Sequence, residues 1–177
     1  GMLAEWAHLV WINDLATPPL SIISAETRRL HMRSGLGLLV VDGIQRVSAQ
    51  GESRVIEMEN AMKGVKGAAQ NLGLPVVATV HPNREGQKSG VITYRDGKFG
   101  NSIEQESDQV WTLNPIDDNG NVLDRAGAMR YRTACGYQLV QLGVEKNRGG
   151  SEGVERLKFN ISRGGRWEAA GYMEDGS

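Results

Sequence analysis

The chain has 177 residues, 40% of them hydrophobic and 23% charged, enough for one compact domain with its own core and too few for two comfortable ones. A formal net charge of −1 supplies no global field to draw in DNA or an acidic membrane, so any nucleic-acid contact must come from local loops. One cysteine, Cys135, excludes an internal disulfide, scattered His8, His31 and His81 lack metal-ligand spacing, and no apolar run of ~18 residues or leader-like start is present.

These exclusions point to a soluble, cytoplasmic protein with no membrane contact, in which Cys135 is an inert, packed thiol. Gly1-Met2 reads as a scar ahead of a natural start. The 23 glycines against 5 prolines are dispersed without a period, as turn residues rather than linker or repeat.

Thr17-Pro18-Pro19 starts a helix over 21–33, where Ile22, Ile23 and Leu30 alternate with Glu26, Arg28 and Arg29 at helical spacing. Leu36 to Val41 is an apolar run bounded by Gly35 and Gly43, too short for a buried helix and so a buried strand ending at Asp42. A second helix spans 55–72 on the spacing of Ile56, Met58, Met62, Val65 and Ala69, and Pro75 to Val80 is another buried strand. Strand, helix and strand in this order predict a parallel sheet with helices on its faces and ligands beyond the strands' carboxyl ends.

From His81 to Phe99 the chain is polar and glycine-rich, a long loop carrying Arg84, Lys88, Arg95 and Lys98. A helical turn at 102–105 and a strand at 109–113 follow, then an irregular excursion over 114–136 rich in Asp, Asn, Gly and Arg. Strands at 138–146 and 155–161 flank Asn147-Arg148-Gly149-Gly150-Ser151, a hairpin signal, with a short last strand at 166–168.

A carboxylate at the exit of an apolar strand, as Asp42 stands after Leu39-Val40-Val41, can reach the Mg²⁺ on nucleotide phosphates. It can equally serve a turn or a helix cap. The series Leu39-Val40-Val41-Asp42-Gly43-Ile44-Gln45, Pro75-Val76-Val77-Ala78, Asn83-Arg84, Ser102-Ile103-Glu104-Gln105, Asp108 and Lys146-Asn147-Arg148-Gly149-Gly150 resembles the RecA-type motor domain of the DnaB family of replicative DNA helicases. The likeness runs from about Trp11 to Trp167.

The resemblance implies an α/β fold with a mostly parallel RecA-like sheet flanked by helices and a C-terminal antiparallel hairpin, formed by residues 1–177 as one partial domain. It implies Asp42 as the carboxylate ordering Mg²⁺, Gln45 as a relay of nucleotide state, and His81 where the family has a sensing glutamine. Lys146 and Arg148 match a basic pair that reaches a neighbouring subunit's ATP; read on its own, a Lys-x-Arg in a glycine-rich turn is a solvated hairpin tip. Lys98, Phe99 and Asn101 fall in a loop that contacts single-stranded DNA, Phe99 replacing an acidic residue with a ring able to stack on a base. Arg84, Lys88 and Arg95 join that candidate surface or are an ordinary charged loop.

Phosphoryl transfer needs a phosphate cradle of the form G-x-x-x-x-G-K-[ST]. The only Gly-Lys pair is Gly97-Lys98, followed by Phe99 and with Ile92 in the place of the first glycine. The expectation is therefore a partial ATP-dependent DNA helicase motor, truncated before the P-loop, that neither binds ATP and Mg²⁺ nor hydrolyses ATP alone. Missing strands leave edges to cover, so homo-oligomers or a separate N-terminal helicase fragment are expected partners. Two other readings stand beside it: a non-catalytic module for single-stranded DNA or a helicase subunit, and a RecA-like recombinase-related protein.

Overall fold

A computed structural model describes residues 7–83, 91–96, 100–161 and 165–170. The chain divides into two compact units, one formed by Gly1–Leu39 with Arg46–Val76 and the other by Val40–Gln45 with Val77–Ser177.

The first unit is built on two helices, α1 (Leu20–Ser34) and α2 (Arg54–Leu72). α1 starts behind Pro19, whose fixed φ suits a helix entrance. α2 is opened by Ser53, whose hydroxyl accepts from the Ile56 N–H at 3.3 Å, satisfying one of the orphan donors of the first turn. Met58, Ala61, Val65 and Ala69 recur at helical spacing along α2 and are buried together with Leu74 and Val47. Gly64 lets the two helices meet, because a Cβ there would overlap the Leu20 Cδ2.

Strands β1 (Leu39–Val41) and β2 (Val76–Ala78) form a two-stranded sheet. The Leu39 N–H donates to Pro75 O at 3.1 Å, and the Thr79 N–H to Val41 O at 3.0 Å, so both strands run the same way. They are shorter and more open than the sequence predicts, with Val40 58% and Val77 42% exposed. A sheet of two strands gives each only one paired edge and no flanking strand to bury it.

The second unit carries a four-stranded antiparallel sheet in the order β3-β4-β5-β6: Gln109–Ile116, Tyr137–Asn147, Gly153–Asn160 and Arg166–Ala169. The expected mostly parallel RecA-like sheet thus holds only for β1 and β2. The register from Gln109↔Asn147 to Ile116↔Leu139 shows why: β4 returns beside β3 in reverse. The reversal begins in the turn at Asp117, whose carboxylate accepts from the Asn121 side chain at 3.0 Å and from the Asn121 N–H at 2.8 Å. These bonds hold the Asp117 carboxyl below the usual range, the Asn121 side chain contributing most.

Helices α3 (Gly100–Glu106) and α4 (Arg125–Cys135) complete the unit. α4 lies inside the stretch expected to be irregular. Only Ala128 of its residues is buried, so it has no apolar stripe to reveal it. Its ends define it instead, because the Asp124 carboxylate accepts from the Gly127 N–H at 2.6 Å and Gly136 closes it in a left-handed conformation. Cys135, its last residue, is exposed rather than packed. Tyr131 packs edge-on against Tyr137 at 5.9 Å, and burial pushes its phenol pKa up.

No helix among the described residues is long and apolar enough to cross a membrane.

Candidate functional site

Asp42 leaves β1 on the surface, and its Oδ1 accepts from the Thr79 hydroxyl at 2.7 Å. The same hydroxyl accepts from the Gly43 N–H at 2.7 Å, while the Ile44 N–H donates to Thr79 O at 3.0 Å. Gly43 has φ +81, a conformation that glycine adopts without a Cβ penalty. Buried Ile44 then turns the chain into Ile44–Arg46, which carries half-buried Gln45. Thr79, absent from the sequence-level candidates, is thus the residue that fixes Asp42 relative to β2. A hydroxyl one residue beyond a strand opposite a strand-exit Asp is the signal that could have found it.

The Asp42 carboxylate keeps its second oxygen unbonded among the described residues, which suits it to a water on a nucleotide-borne Mg²⁺. No group of three His, Cys, Asp or Glu able to hold an ion is present among the described residues, so a metal here would need phosphate oxygens to complete its shell. His81 is exposed, three residues past the end of β2.

Replacing Thr79 with the isosteric Val removes the donor to Asp42 and the acceptor of the buried Gly43 N–H. We expect Thr79→Val to lower stability by about 1–3 kcal/mol and Thr79→Ser to retain most of it, both read from urea midpoints. Equal midpoints for wild type and Thr79→Val would mean that the Thr79 hydroxyl does not hold Asp42 and Gly43 in place.

Lys146 and Arg148 come together around the end of α3. A short helix leaves its last carbonyls without intrahelical donors. The Ser107 N–H takes Ile103 O at 3.1 Å, Lys146 Nζ donates to Glu104 O, and Arg148 Nη2 donates to Gln105 O at 2.8 Å. Arg148 Nη1 also meets Asp108 Oδ1 at 3.4 Å, and the Arg148 N–H donates to Asp108 O at 3.0 Å. The tip is ordered by Asn147, whose side-chain oxygen accepts from the Gly149 N–H at 3.2 Å and whose amide donates to Ser151 O at 3.0 Å.

Of the expected DNA-contacting residues, Arg84, Lys88, Lys98 and Phe99 lie outside the described residues, and Asn101 stands in the first turn of α3. Arg95 is exposed, its Nε donating to the Tyr94 hydroxyl at 3.1 Å. That contact is the main reason its guanidinium pKa lies above the ordinary value.

The segment around Arg95 is gripped by polar residues of the sheet that are not among the sequence-level candidates. Asn114, only 2% exposed, accepts from the Ile92 N–H at 2.7 Å and donates to Ile92 O at 2.9 Å. Glu145 accepts from the Tyr94 N–H at 2.5 Å and the Thr112 hydroxyl at 2.7 Å. Buried Asn and Thr alternating within an otherwise apolar strand are the sequence signal for such a clamp. A groove between α1 and α2, lined by Ala25, Met32, Gly64 and Ala68, holds none of the candidate residues.

Comparison with known proteins gives a consistent relationship. The family model of the DnaB-like helicase C terminal domain matches residues 3–164. The replicative DNA helicase DnaB of Geobacillus stearothermophilus is 25% identical over 161 residues, covering 85% of this chain and 32% of that protein. DnaB of Haemophilus influenzae is 28% identical over 167 residues, covering 90% of this chain and 33% of that protein. The chain therefore spans about a third of the length of these curated relatives.

Among solved structures, a DnaB-like replicative helicase studied with primase gives a TM-score of 0.67 at 21% identity, covering 84% of this chain and 34% of that one. A second solved chain, an ATPase domain, is similar in fold with a TM-score of 0.69 at 19% identity, covering 87% of this chain and 52% of that one.

Proposed function

Because the chain belongs to the family of DnaB-like helicase C-terminal domains, we propose that it is part of a replicative DNA helicase motor whose contribution to nucleotide chemistry is made partly in trans. Arg148 is presented to ATP held by a neighbouring subunit, with Lys146 beside it, while Asp42, Gln45 and His81 face a nucleotide whose phosphates are gripped by polypeptide outside these 177 residues. ATP with Mg²⁺ supplies the phosphoryl chemistry of the assembled motor. Single-stranded DNA runs over Arg84, Lys88, Arg95, Lys98, Phe99 and Asn101, and the chain works as a homo-oligomer or with a partner that carries the P-loop.

The observation that carries this reading is the arrangement at the end of α3. Lys146 and Arg148 are ordered on Glu104 O and Gln105 O, and Arg148 remains on the surface. A disordered hairpin tip would not organise two cations in this way. The reading requires no ATP turnover by the chain alone, since its sequence contains no phosphate cradle.

The test uses the purified chain alone and the same chain fused behind a P-loop-bearing segment of a DnaB-family motor. The fusion is expected to hydrolyse ATP and the chain alone to stay at the buffer blank, with binding to oligo-dT weakening as salt rises. ATP hydrolysis by the chain alone would overturn the division of labour. Oligo-dT binding with no hydrolysis from a folded fusion would favour a non-catalytic DNA-binding module.

A further inference from the structure

The antiparallel sheet puts polar side chains where packing alone would call for apolar ones. On β3 the buried positions include Thr112 and Asn114, while Trp111 and Leu113 on the opposite face are exposed. Val110 pairs with Lys146 and Trp111 with Val144, so Glu145 is the extra residue of a β-bulge, an irregularity that re-aims a side chain. Asn114 takes both backbone groups of Ile92, and Glu145, steadied by the Thr112 hydroxyl, takes the Tyr94 N–H. The Asn83 N–H donates to Asp96 O at 2.7 Å and closes the base of the segment. Buried polar groups that are satisfied in this way specify one arrangement of the backbone they hold.

The turn so held is Tyr94–Asp96. The exposed Arg95 guanidinium lies over the half-buried Tyr94 ring, 5.4 Å from its centroid, with Nε on the Tyr94 hydroxyl. That bond uses one of the five N–H donors a guanidinium carries, and the others have no partner among the described residues.

The geometry points to a base-stacking site at Tyr94 and Arg95: ring and guanidinium together receive one unpaired base of a single strand, the free donors of Arg95 take the adjoining phosphate, and Glu145 and Asn114 are the positioning residues that hold the pair. The site rests on the single-stranded DNA reading of this segment given above; the hold exerted by Glu145 and Asn114 stands independently of it. Unpaired bases stack on aromatic rings and on the planes of arginine side chains. An arginine meeting phosphate alone would need neither the ring nor a fixed turn, and here the Glu104 carboxylate acts on its charge, which weakens a purely electrostatic grip. A platform already in place loses little freedom when the strand arrives.

The test compares two fluorescent oligomers of equal length on the purified chain, oligo-dT and a strand of abasic sites with the same phosphates. Wild type is expected to bind oligo-dT about tenfold more tightly than the abasic strand, the scale of one stacked base. Tyr94→Leu is expected to abolish that preference while leaving abasic binding nearly unchanged, and Tyr94→Phe to keep it. Arg95→Gln should weaken both oligomers and lower the salt slope by about one. Glu145→Ala is expected to speed exchange of the Tyr94 amide hydrogen about tenfold and to reduce the preference for oligo-dT.

Equal affinity of wild type for the two oligomers would overturn the stacking site without any variant being made, and so would a preference that survives Tyr94→Leu. Binding of neither oligomer would remove the single-stranded DNA reading together with the site. A Tyr94 amide indifferent to Glu145→Ala would overturn the positioning role.

Discussion

Arg148→Ala in the P-loop-supplemented motor is expected to reduce ATP turnover by ~10³-fold or more, the scale on which an arginine supplied to transferring phosphoryl oxygens acts. Its contacts in cis are too weak to produce that loss through folding. The Asp108 pair is 3.4 Å long and exposed on both sides, and exposed ion pairs contribute about 0–1 kcal/mol. The variant should therefore keep its urea midpoint nearly unchanged while losing turnover. The direct check is complementation: Arg148→Ala and Asp42→Asn fusions, each inactive alone, are mixed and assayed. A trans-acting arginine predicts recovered activity, because an Arg148→Ala subunit keeps its own Asp42 and receives an intact arginine from its neighbour. A mixture as inactive as its components, in oligomers shown to contain both, would place Arg148 in cis.

Ile44→Ala is expected to cost roughly 2–5 kcal/mol, the range for truncating a buried aliphatic side chain that leaves a cavity. Ile44 is 1% exposed and its N–H is fixed to Thr79 O, so its surroundings have little freedom to collapse around the loss. With total stabilities commonly about 5–15 kcal/mol, that is a large share, and chemical denaturation should show it as a lower midpoint. Because Ile44 follows Asp42 and Gly43 directly, the carboxylate should lose its fixed geometry as well. Ile44→Val, which removes one methylene, is expected to cost about 0.5–1.5 kcal/mol. A cost for Ile44→Ala no larger than for Ile44→Val would mean that the side chain packs against little.

The parts of this fold legible in the sequence are those where one face repeats. α2 shows its buried positions at Met58, Ala61, Val65 and Ala69, and the predicted helix over 55–72 differs from it by one residue. β4 and β5 are readable as segments of interspersed apolar and polar residues on either side of a glycine-rich turn. α4 is not, because caps at Asp124 and Gly136 define it, and caps carry no periodicity. The antiparallel direction of β3 and β4 is equally hidden, since it depends on the long-range pairing of Gln109 with Asn147.

At the candidate site, Asp42 stands out in the sequence as a charge after an apolar run, and Lys146 and Arg148 as a Lys-x-Arg at a glycine-rich turn. Thr79, Asn114 and Glu145 do not, since a polar residue inside or beside a strand acquires its role only from the partner that the fold brings to it.

The position of Cys135 has a practical consequence. It is the only thiol in the sequence and it is exposed at the last residue of α4, so a maleimide dye will mark a single defined point on unmutated protein. Chains labelled separately with donor and acceptor dyes would report subunit mixing as energy transfer, in the same sample and without a second reporter, while nucleotide or oligo-dT is added.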